Sequence, residues 1–425
     1  MRLERILGVL GMSFKNVKFV KLGSITKWTS GGTPSKKNKD FWDGRIPWIS
    51  ARNLKSNFVY SSDITISELG LNNGSRLAPV KSILLLVRGS GLFNDIPIGL
   101  VEKEVAFNQD LKCIQADSET VLPEYIFYWL LGSKQLLRSI LEVTGIGAGK
   151  FDTKLLQNLE IPLPSIEEQE LIVKLCDSIS RKIEINERIS QLLENIAQVI
   201  FKQWFVDFEF PNEDSEPYKS SGGEMVESEL GLIPKGWEVK ELGEIIDIHD
   251  SKRIPLSKKE REKREKKYPY YGAASLMDYV DEFIFDGTYV LLGEDGTVVN
   301  EDGSPVLQYV WGKFWVNNHA HVLSGKKGIS TNFLYILLSN LNVSGAITGA
   351  VQLKINQKNL KEMKIIMPND MKLVSHFSDI VDKSFEKIRV KRDENKNLVL
   401  LRDSLLPKLM SGEIRVPLDE EGDVS

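Results

Sequence analysis

The residues of this chain that could do chemistry lie in short polar loops, and each kind of loop occurs twice. Glycine lets a backbone N–H approach a phosphate, lysine and serine bind phosphate oxygens, and arginine, glutamine and asparagine can bind base edges. The candidates in the first copy are Gly31, Gly32, Thr33, Ser35, Lys36, Lys37, Arg52, Arg88, Ser90, Asn108, Gln109 and Lys150. The candidates in the second are Ser251, Lys252, Arg253, Tyr271, Glu294, Asp295, Asn317, Asn318, His319, Gln352 and Lys354. Any single loop could be an ordinary surface turn, but the recurrence favours a shared function in binding a nucleic acid.

No catalytic motif accompanies these loops. The sequence contains no H-E-x-x-H, G-x-S-x-G, Walker A or G-x-G-x-x-G pattern, and no Pro-Pro dipeptide of the kind used by amino-methyltransferases. His319 and His321 lie two residues apart on a predicted strand, but no cysteine or further histidine accompanies them. A structural or polar-contact role is therefore favoured over zinc binding. We expect no catalytic residue, metal site or cofactor in this chain.

The repeat extends beyond the loops to whole modules. Ile46–Ala51 returns as Tyr268–Ala273, and the sequence Phe107–Gln109 returns as Val316–Asn318. The loop Val87–Ser90 has its closest counterpart in Gly293–Gly296, and the helical Tyr125–Tyr128 returns as Phe333–Ile336. Short β-type runs alternate with turns and one helix in each copy. The sequence predicts two similar α+β modules, at 16–164 and 235–368.

Each module is followed by a long amphipathic helix, predicted at 165–207 and 369–412. Apolar residues recur there at a spacing of three and four, which is typical of a helix–helix seam. The predicted seam consists of Ile172, Leu175, Ile179, Ile183, Leu193, Ile196, Ile200, Phe377, Ile380, Ile388, Leu398, Leu401 and Leu405. If the helices pair, the chain direction requires them to be antiparallel, with Asn186 interrupting the seam. The alternative is that each helix packs only on its own module.

The charge is unevenly distributed along the chain. The net charge of -4 includes a segment at 209–229 with seven acids and one lysine, and a terminal segment at 417–425 with four acids. We therefore predict an acidic linker at 208–234 and an acidic tail at 413–425. Removing both segments leaves the rest positive, so the overall charge neither supports nor excludes a polyanionic partner. Lys252–Lys267 carries nine bases against three acids.

The composition indicates where such a chain works. Cys113 and Cys176 are its two cysteines, too few for a disulfide framework, so a reducing compartment is expected. The longest apolar runs are too short to span a bilayer. The sequence therefore predicts a cytoplasmic protein without a membrane partner.

The chain resembles a known family. The order of the repeats, the helix entry Ile161–Gln169 and the ending Leu405–Glu413 are similar to those of the specificity subunit of type I restriction–modification systems. The likeness extends from about Asn16 to Val416. It implies two target recognition domains that read a bipartite site on double-stranded DNA, separated by a helical coiled-coil-like spacer. It also implies that Gly31–Ser35 and Arg88–Ser90 face DNA, although Glu294 and Asp295 depart from the family's Arg-Gly pattern.

The resemblance also implies partners. The specificity subunit has no activity of its own and docks two adenine-methyltransferase subunits and an endonuclease/translocase subunit. S-adenosylmethionine, ATP and Mg²⁺ are then expected on those partners and not on this chain. The alternative from the residues alone is a two-headed protein–protein scaffold, which would bind peptides and show no affinity for DNA.

Overall fold

The computed structural model describes residues 18–145, 147–349 and 353–414. They divide into two compact units. Unit 1 contains the described residues up to Glu184 together with those from Asn395 onward, and unit 2 contains Ile185–Glu394. Each unit therefore holds one module and part of both long helices. The predicted start of the first module at residue 16, Gln352, and residues 415–425 of the predicted tail lie outside the described residues.

Unit 1 is built on a five-stranded sheet and a four-stranded sheet. Its strands are β1 Lys18–Lys21, β2 Thr26–Ser30, β3 Trp42–Ile49, β4 Phe58–Val59, β5 Thr65–Ile66, β6 Leu77–Ala78, β7 Ile83–Leu86, β8 Arg88–Gly89, β9 Ile98–Val101, β10 Val105–Phe107, β11 Leu111–Ala116, β12 Glu142–Val143, β13 Gly149–Lys150 and β14 Glu160–Leu163. The strand orders are β2-β11-β7-β9-β4 and β5-β3-β10-β6, with the smaller groups β12-β13-β8 and β1-β14. The short helices are α1 Glu68–Asn72, α2 Pro123–Gly132, α3 Lys134–Ser139 and α4 Thr153–Gln157.

The core of unit 1 follows from its apolar runs. All four residues of β7 are buried, as expected for a central strand covered on both faces. Helix α2 starts at Pro123, where the missing N–H costs nothing, and its residues from Tyr125 to Leu131 are all buried. Cys113 and Cys176 are free thiols in the same core. Burial raises the pKa of Cys176 to about 12, so this thiol is an inert core residue.

Unit 2 repeats this arrangement on a six-stranded sheet. After helix α5, Ile166–Phe201, come β15 Met225–Ser228, β16 Gly231–Pro234, β17 Trp237–Glu241, β18 Ile246–Ile248, α6 Lys258–Glu262, β19 Tyr268–Tyr271, β20 Leu276–Val280, β21 Phe285–Gly293, β22 Leu307–Val316, β23 Ala320–Gly325, α7 Thr331–Ser339, β24 Ile347–Thr348, β25 Lys354–Ile355, α8 Gln357–Glu362, β26 Lys364–Pro368 and α9 Lys372–Ser411. The sheet order is β18-β23-β21-β22-β19-β20. β17 pairs antiparallel with β26 as β1 pairs with β14, so the first and last strands of each module lie together just before a long helix.

The segment predicted as an acidic linker is folded. A π-helical turn, Lys202–Val206, continues α5, and β15 and β16 form a hairpin. Phe208 and Ile233 are buried in the core of unit 2. Apolar side chains between the acidic residues therefore pack the segment onto unit 2, and the acids remain at its surface.

Within each unit the two long helices run antiparallel. In unit 1, Asn395 Nδ2 donates to Ile183 O at 3.0 Å, and Leu406 shares a core with Ile172. In unit 2, Asn186 Nδ2 donates to Glu394 Oε2 at 3.0 Å, and the ring of Phe201 packs on that of Phe377. The alternative in which each helix packs only on its own module is therefore wrong for unit 1.

The predicted seam is correct in direction but partly wrong in its residues. Ile172, Ile179, Ile183, Phe377 and Ile388 are buried, and Leu175, Leu193, Ile200, Leu398 and Leu405 are partly buried. Ile196, Ile380 and Leu401 are 52%, 37% and 47% exposed, so their assignment to the seam is wrong. Ala197, Val381 and Leu406 are buried instead. A small residue such as alanine lets helices approach closely, and a search for large apolar residues passes over it.

The entry to α5 shows why its sequence is specific. Ser165 and Glu168 form a capping box, in which Glu168 N–H donates to Ser165 Oγ at 3.2 Å and Ser165 N–H to Glu168 Oε2 at 3.1 Å. Gln169 is fully buried; its Oε1 accepts from Leu122 N–H at 2.9 Å and its Nε2 donates to Pro164 O at 3.0 Å. Gln169 thus connects the start of α2 to the start of the long helix.

No helix in the described part of the chain is long and apolar enough to cross a membrane.

Candidate nucleic-acid interface

The predicted loops of module 1 are joined by a series of backbone hydrogen bonds. Gly32 N–H donates to Phe107 O at 2.9 Å, and Asn108 N–H donates to Ile49 O at 2.9 Å. Val87 N–H donates to Asp110 O and Phe151 N–H to Val87 O, at 2.8 and 2.9 Å. These bonds therefore bring the predicted loops side by side at the strand ends. They join the glycine loop, the turn that carries Arg52, the Asn108 loop and the strands of Arg88 and Lys150.

The two glycines of the first loop are required by close packing. A Cβ on Gly31 would lie 2.1 Å from Phe107 O, and one on Gly32 would lie 2.2 Å from Gly74 O. Thr33 Oγ1 donates to Gln109 Oε1 at 2.6 Å, which connects the loop to its neighbour. The glycines thus place the following Ser35, Lys36 and Lys37, all exposed, at the surface.

Asn108 shapes its loop and does not face solvent. The side chain is 5% exposed; Oδ1 accepts from Asp110 N–H at 3.1 Å and Nδ2 donates to Asp110 Oδ2 at 3.0 Å. These bonds engage the polar atoms of Asn108 within the fold and favour a structural role, and its contact with DNA stays a prediction. Gln109, Arg52 and Ser90 are exposed and remain candidates.

Arg88 and Lys150 are direct cross-strand neighbours. β8 and β13 pair antiparallel with Arg88 opposite Lys150 and Gly89 opposite Gly149. Like charges opposite each other destabilise a strand pair. Gly89 has φ 148°, a conformation that favours glycine, at the point where the chain leaves the strand. Glu142 lies opposite Lys150 on its other side and neutralises part of this positive charge, and an anionic ligand would neutralise the rest.

Arg76 is an exposed cation near these loops that the sequence motifs do not single out. Its carbonyl accepts from Phe107 N–H at 3.3 Å, and its side chain is exposed beside the glycine loop. Arg76 lies just before β6, in a stretch without a counterpart among the repeated motifs. The signal that could have found it is the neighbouring Gly74, whose carbonyl abuts Gly32.

Module 2 contains the same three hydrogen bonds at equivalent residues. Asn317 N–H donates to Tyr271 O at 3.1 Å, Glu294 N–H to His319 O at 2.8 Å, and Ile355 N–H to Glu294 O at 2.9 Å. They correspond to the bonds Asn108–Ile49, Val87–Asp110 and Phe151–Val87 in module 1. The backbone framework of the loops is therefore a true repeat.

This framework corrects the predicted pairing of loops by one residue. Val87 is equivalent to Glu294 and not to Gly293, so Arg88 is equivalent to Asp295, and Lys150 to Lys354. Asp295 and Lys354 form an antiparallel bridge, as Arg88 and Lys150 do. At one position of this surface, module 1 therefore carries the positive Arg88 and module 2 the negative Asp295. At the opposite position both modules carry a lysine.

Beneath the loops of module 2 lies a cluster of buried charges. His321 Nδ1 is 2.6 Å from Asp250 Oδ2, and its Nε2 is 2.8 Å from Ile355 O. Arg253 Nη1 donates to Glu294 Oε2 at 2.8 Å and to Ala320 O at 2.6 Å. Both side chains are nearly buried and pair with each other, which favours a structural role for Arg253 and Glu294, and their contact with DNA stays a prediction.

The cluster shifts the pKa values of its acids. Burial alone would raise the pKa of Asp250, but the hydrogen bond from His321 and its charge lower it overall. Burial would likewise raise the pKa of Glu294, and the hydrogen bond from Arg253, the charge of His321 and the hydrogen bond from Lys354 lower it. Asp250, Glu294 and His321 lie close enough to hold a metal ion, but Arg253 and Lys354 already neutralise the carboxylates.

The loop Asn317–His319 repeats the design of Asn108–Asp110. Asn317 is 4% exposed, and its Oδ1 accepts from His319 N–H at 2.8 Å, so the same structural role is favoured and its contact with DNA stays a prediction. Asn318 and His319 are exposed, and His319 Nδ1 lies 2.7 Å from Asp295 Oδ1. The ring of Tyr271 is half-buried against Phe314.

The basic segment of module 2 is partly neutralised. Arg261 and Lys266 both contact Asp278, and Arg264 contacts Asp281 at 2.8 Å. Ser251 and Lys252 are exposed, as are Lys259 and Lys263 of α6 and the turn after it. The segment therefore offers fewer cations to a ligand than its nine bases suggest.

Comparison with known proteins agrees with this geometry. A family model described as the type I restriction modification DNA specificity domain matches residues 15–195 and 234–397. The chain is 29% identical over 422 residues to the type I restriction enzyme MjaIX specificity subunit of Methanocaldococcus jannaschii, covering 93% of both chains. It is 38% identical over 172 residues to the EcoR124I/EcoR124II specificity subunit of Escherichia coli, covering 39% of this chain and 42% of that one.

A solved structure has the same fold. The S subunit of a type I restriction–modification system from M. genitalium superposes with a TM-score of 0.52 at 16% identity, covering 93% of this chain and 96% of that one. Because the family model matches both modules and most of both helices, the chain belongs to the DNA specificity subunits of type I restriction–modification systems.

Proposed function

We propose that this chain reads a bipartite site on double-stranded DNA, with one half-site for each module. It does so as a non-catalytic subunit that brings an adenine methyltransferase and an endonuclease to that site. Module 1 uses Arg88, Lys150, Gln109, Arg52 and the loop Gly31–Lys37. Module 2 uses Asp295, Lys354, Asn318, His319 and the loop Ser251–Lys252. The domain limits predicted from the sequence, 16–164 and 235–368, are the proposed limits of the two readers.

One observation carries this proposal. Three backbone hydrogen bonds position the loops identically in both modules, whereas the side chains presented there differ. Arg88 stands in module 1 where Asp295 stands in module 2. An arginine can donate two hydrogen bonds to guanine, and a carboxylate accepts from the amine of cytosine. A constant framework with changing side chains is what reading two different half-sites requires.

The long helices are proposed to set the gap between the half-sites. Inside each unit a long helix is anchored to the module by polar contacts as well as apolar ones. In unit 1, Arg181 Nη1 donates to Tyr60 Oη at 2.8 Å, its guanidinium lies 3.8 Å from the ring centre of Phe58, and it pairs with Glu102. In unit 2, Trp311 Nε1 donates to Asp393 Oδ2 at 2.9 Å. Helices anchored in this way are suited to act as a spacer of fixed length.

The helices also offer a surface to partners. Ile185, Leu192, Ile196 and Val199 follow one another at heptad-like spacing on α5, and each is at least half exposed. An exposed apolar stripe on a helix is suited to receive an amphipathic helix of another protein. We propose that two methyltransferase subunits dock on the spacer helices, and that an endonuclease/translocase subunit joins through them. S-adenosylmethionine, ATP and Mg²⁺ belong to those partners.

Mapping methylated adenines across the genome tests the function. Cells with this chain should methylate a motif of two defined halves separated by an undefined gap, and cells without it should not. The partner methyltransferase must be present in both strains, so that the chain is the single difference. Unchanged methylation, together with no DNA affinity at low salt in the presence of the partners, would identify a protein scaffold instead.

A further inference from the structure

The pair Asp295–His319 is the most unusual feature of the module 2 surface. Asp295 Oδ1 and His319 Nδ1 are 2.7 Å apart, and the imidazole is 47% exposed while the carboxylate is 20% exposed. In module 1 the equivalent residues are Arg88 and Asp110. The acid is therefore Asp295, at an isolated bridge to Lys354, in module 2, and it is Asp110, on the loop, in module 1.

The loop does not need this pair to hold its shape. His319 N–H donates to Asn317 Oδ1 at 2.8 Å, and His319 O accepts from Glu294 N–H at 2.8 Å. Arg253 Nη1 contacts Asn318 O at 3.4 Å from the other side. A single exposed polar contact of this kind stabilises a fold very little. The pair therefore fixes the orientation of the ring on a backbone that is already held.

The carboxylate also selects the tautomer of the ring. A carboxylate can only accept, so Nδ1 carries the proton in the hydrogen bond to Asp295. In the neutral imidazole Nε2 is then an acceptor. An acceptor in the major groove matches the exocyclic amine of adenine or of cytosine, and it does not match the N7 or O6 acceptors of guanine.

We propose that His319 is a specificity-determining residue of module 2, which reads an exocyclic base amine through Nε2, and that Asp295 is the positioning residue that orients it. This inference rests on the proposed function and adds the residue, the atom and the class of base that it reads. Lys354, opposite Asp295, pairs with Glu294 at 3.2 Å but is 47% exposed, so its ammonium group can also reach the DNA backbone.

The test is the methylated motif produced by variants in cells with the partner subunits. His319→Ala should lose about tenfold in discrimination at one position of one half-site, where the wild type requires adenine or cytosine on one strand. Asp295→Asn should affect the same position. The double variant should lose no more than the larger single effect, because the two residues act as a unit. His376→Ala, an exposed histidine on α9, is the matched control and should leave the motif unchanged.

The outcomes separate this inference from the function on which it rests. If the wild-type chain makes no difference to methylation, the proposed function fails. If the wild type gives a bipartite motif and His319→Ala gives the same motif, only the role of His319 is overturned. A change spread over several positions or both half-sites would also overturn it. Thermal unfolding of Asp295→Asn, which retains a side chain of the same shape, distinguishes lost reading from lost folding.

Discussion

Arg88 and Lys150 face each other on adjacent antiparallel strands of module 1, so two positive charges stand in direct opposition. Such a pair costs stability, and Glu142, which lies opposite Lys150 on its other side, offsets part of that cost. We therefore expect Arg88→Gln to leave unit 1 equally stable or to raise its free energy of unfolding by up to about 1 kcal/mol. The same change should relax one half-site of the methylated motif and leave the other intact. Urea unfolding and methylation sequencing measure the two effects, and a motif changed equally in both halves would refute the assignment.

Neighbouring residues of one loop should separate stability from recognition. Asn108→Ala removes the side chain that holds Asp110 and should cost about 1–2 kcal/mol in free energy of unfolding. Gln109→Ala, at the exposed next position, should change stability by less than about 0.5 kcal/mol and alter the base preference of the same half-site. The comparison is made by thermal unfolding and motif sequencing. Equal loss of stability in both variants would contradict the proposed division of roles.

The buried charge cluster of unit 2 predicts a dependence of stability on pH. The pKa values of Asp250 and Glu294 are lowered in the fold from ordinary values of 3.8 and 4.5. Their contribution is therefore complete above the ordinary values and is lost as the pH falls through the lowered ones. Asp250→Asn should reduce the free energy of unfolding by about 3 kcal/mol at neutral pH.

The difference between the wild type and Asp250→Asn should shrink below about pH 4, where the wild-type carboxylates take up protons. Asp286→Asn, an exposed aspartate on β21, is the control and should show a small difference at every pH. Thermal unfolding scans from pH 3 to pH 7 follow both variants. A difference that stays constant down to pH 3 would show that the charge of Asp250 contributes nothing.

The spacer should behave as a ruler. Removing seven residues from each long helix, next to Glu184 and Asn395, should shorten the gap between the half-sites by about 10 Å, or about three base pairs. The bases of both halves should stay the same. Removing seven residues from one helix alone is the control, and it should abolish methylation because the antiparallel contacts lose their register. An unchanged gap after the paired deletion would refute the ruler.

The exposed stripe of α5 should be a docking surface. Leu192 and Val199 are 61% and 65% exposed, so Leu192→Glu with Val199→Glu should barely change the stability of unit 2. The double change should greatly reduce co-purification with the methyltransferase, because it places charge in an apolar contact. Gln191→Glu adds a charge on another face of the same helix and should leave the complex intact. Equal recovery of the complex from both variants would place the partner elsewhere.

Much of the architecture was readable from the sequence. The duplicated motifs predicted two α+β modules, and the apolar spacing predicted two long helices whose antiparallel pairing is seen within each unit. The apolar spacing wrongly assigns Ile196, Ile380 and Leu401 to the seam between the helices. Their neighbours Ala197 and Val381 are the residues that are buried there. The acids at 208–234 predict a linker, whereas a few apolar residues among them, such as Phe208, fold the segment onto unit 2.

The candidate site was harder to predict because a polar residue in a loop can serve either the fold or a ligand. Asn108 and Asn317 recur for a structural reason, since both close the same turn. The backbone hydrogen bonds of Val87 and Glu294 show that these two residues are equivalent, and therefore that Asp295, and not Glu294, corresponds to Arg88. Sequence alignment places loops by similarity of residues, whereas the hydrogen-bond register places them by geometry.

The division of the units through the long helices also has a consequence for biosynthesis. Unit 2 is one continuous stretch, Ile185–Glu394, whereas unit 1 shares its core with Leu406, Leu409 and Met410. A ribosome makes module 1 first but delivers these core residues only after all of unit 2. Part of the apolar core of unit 1 therefore stays exposed until unit 2 has been synthesised. Unit 2 can complete its fold before unit 1, which is the reverse of the order in which the two modules are made.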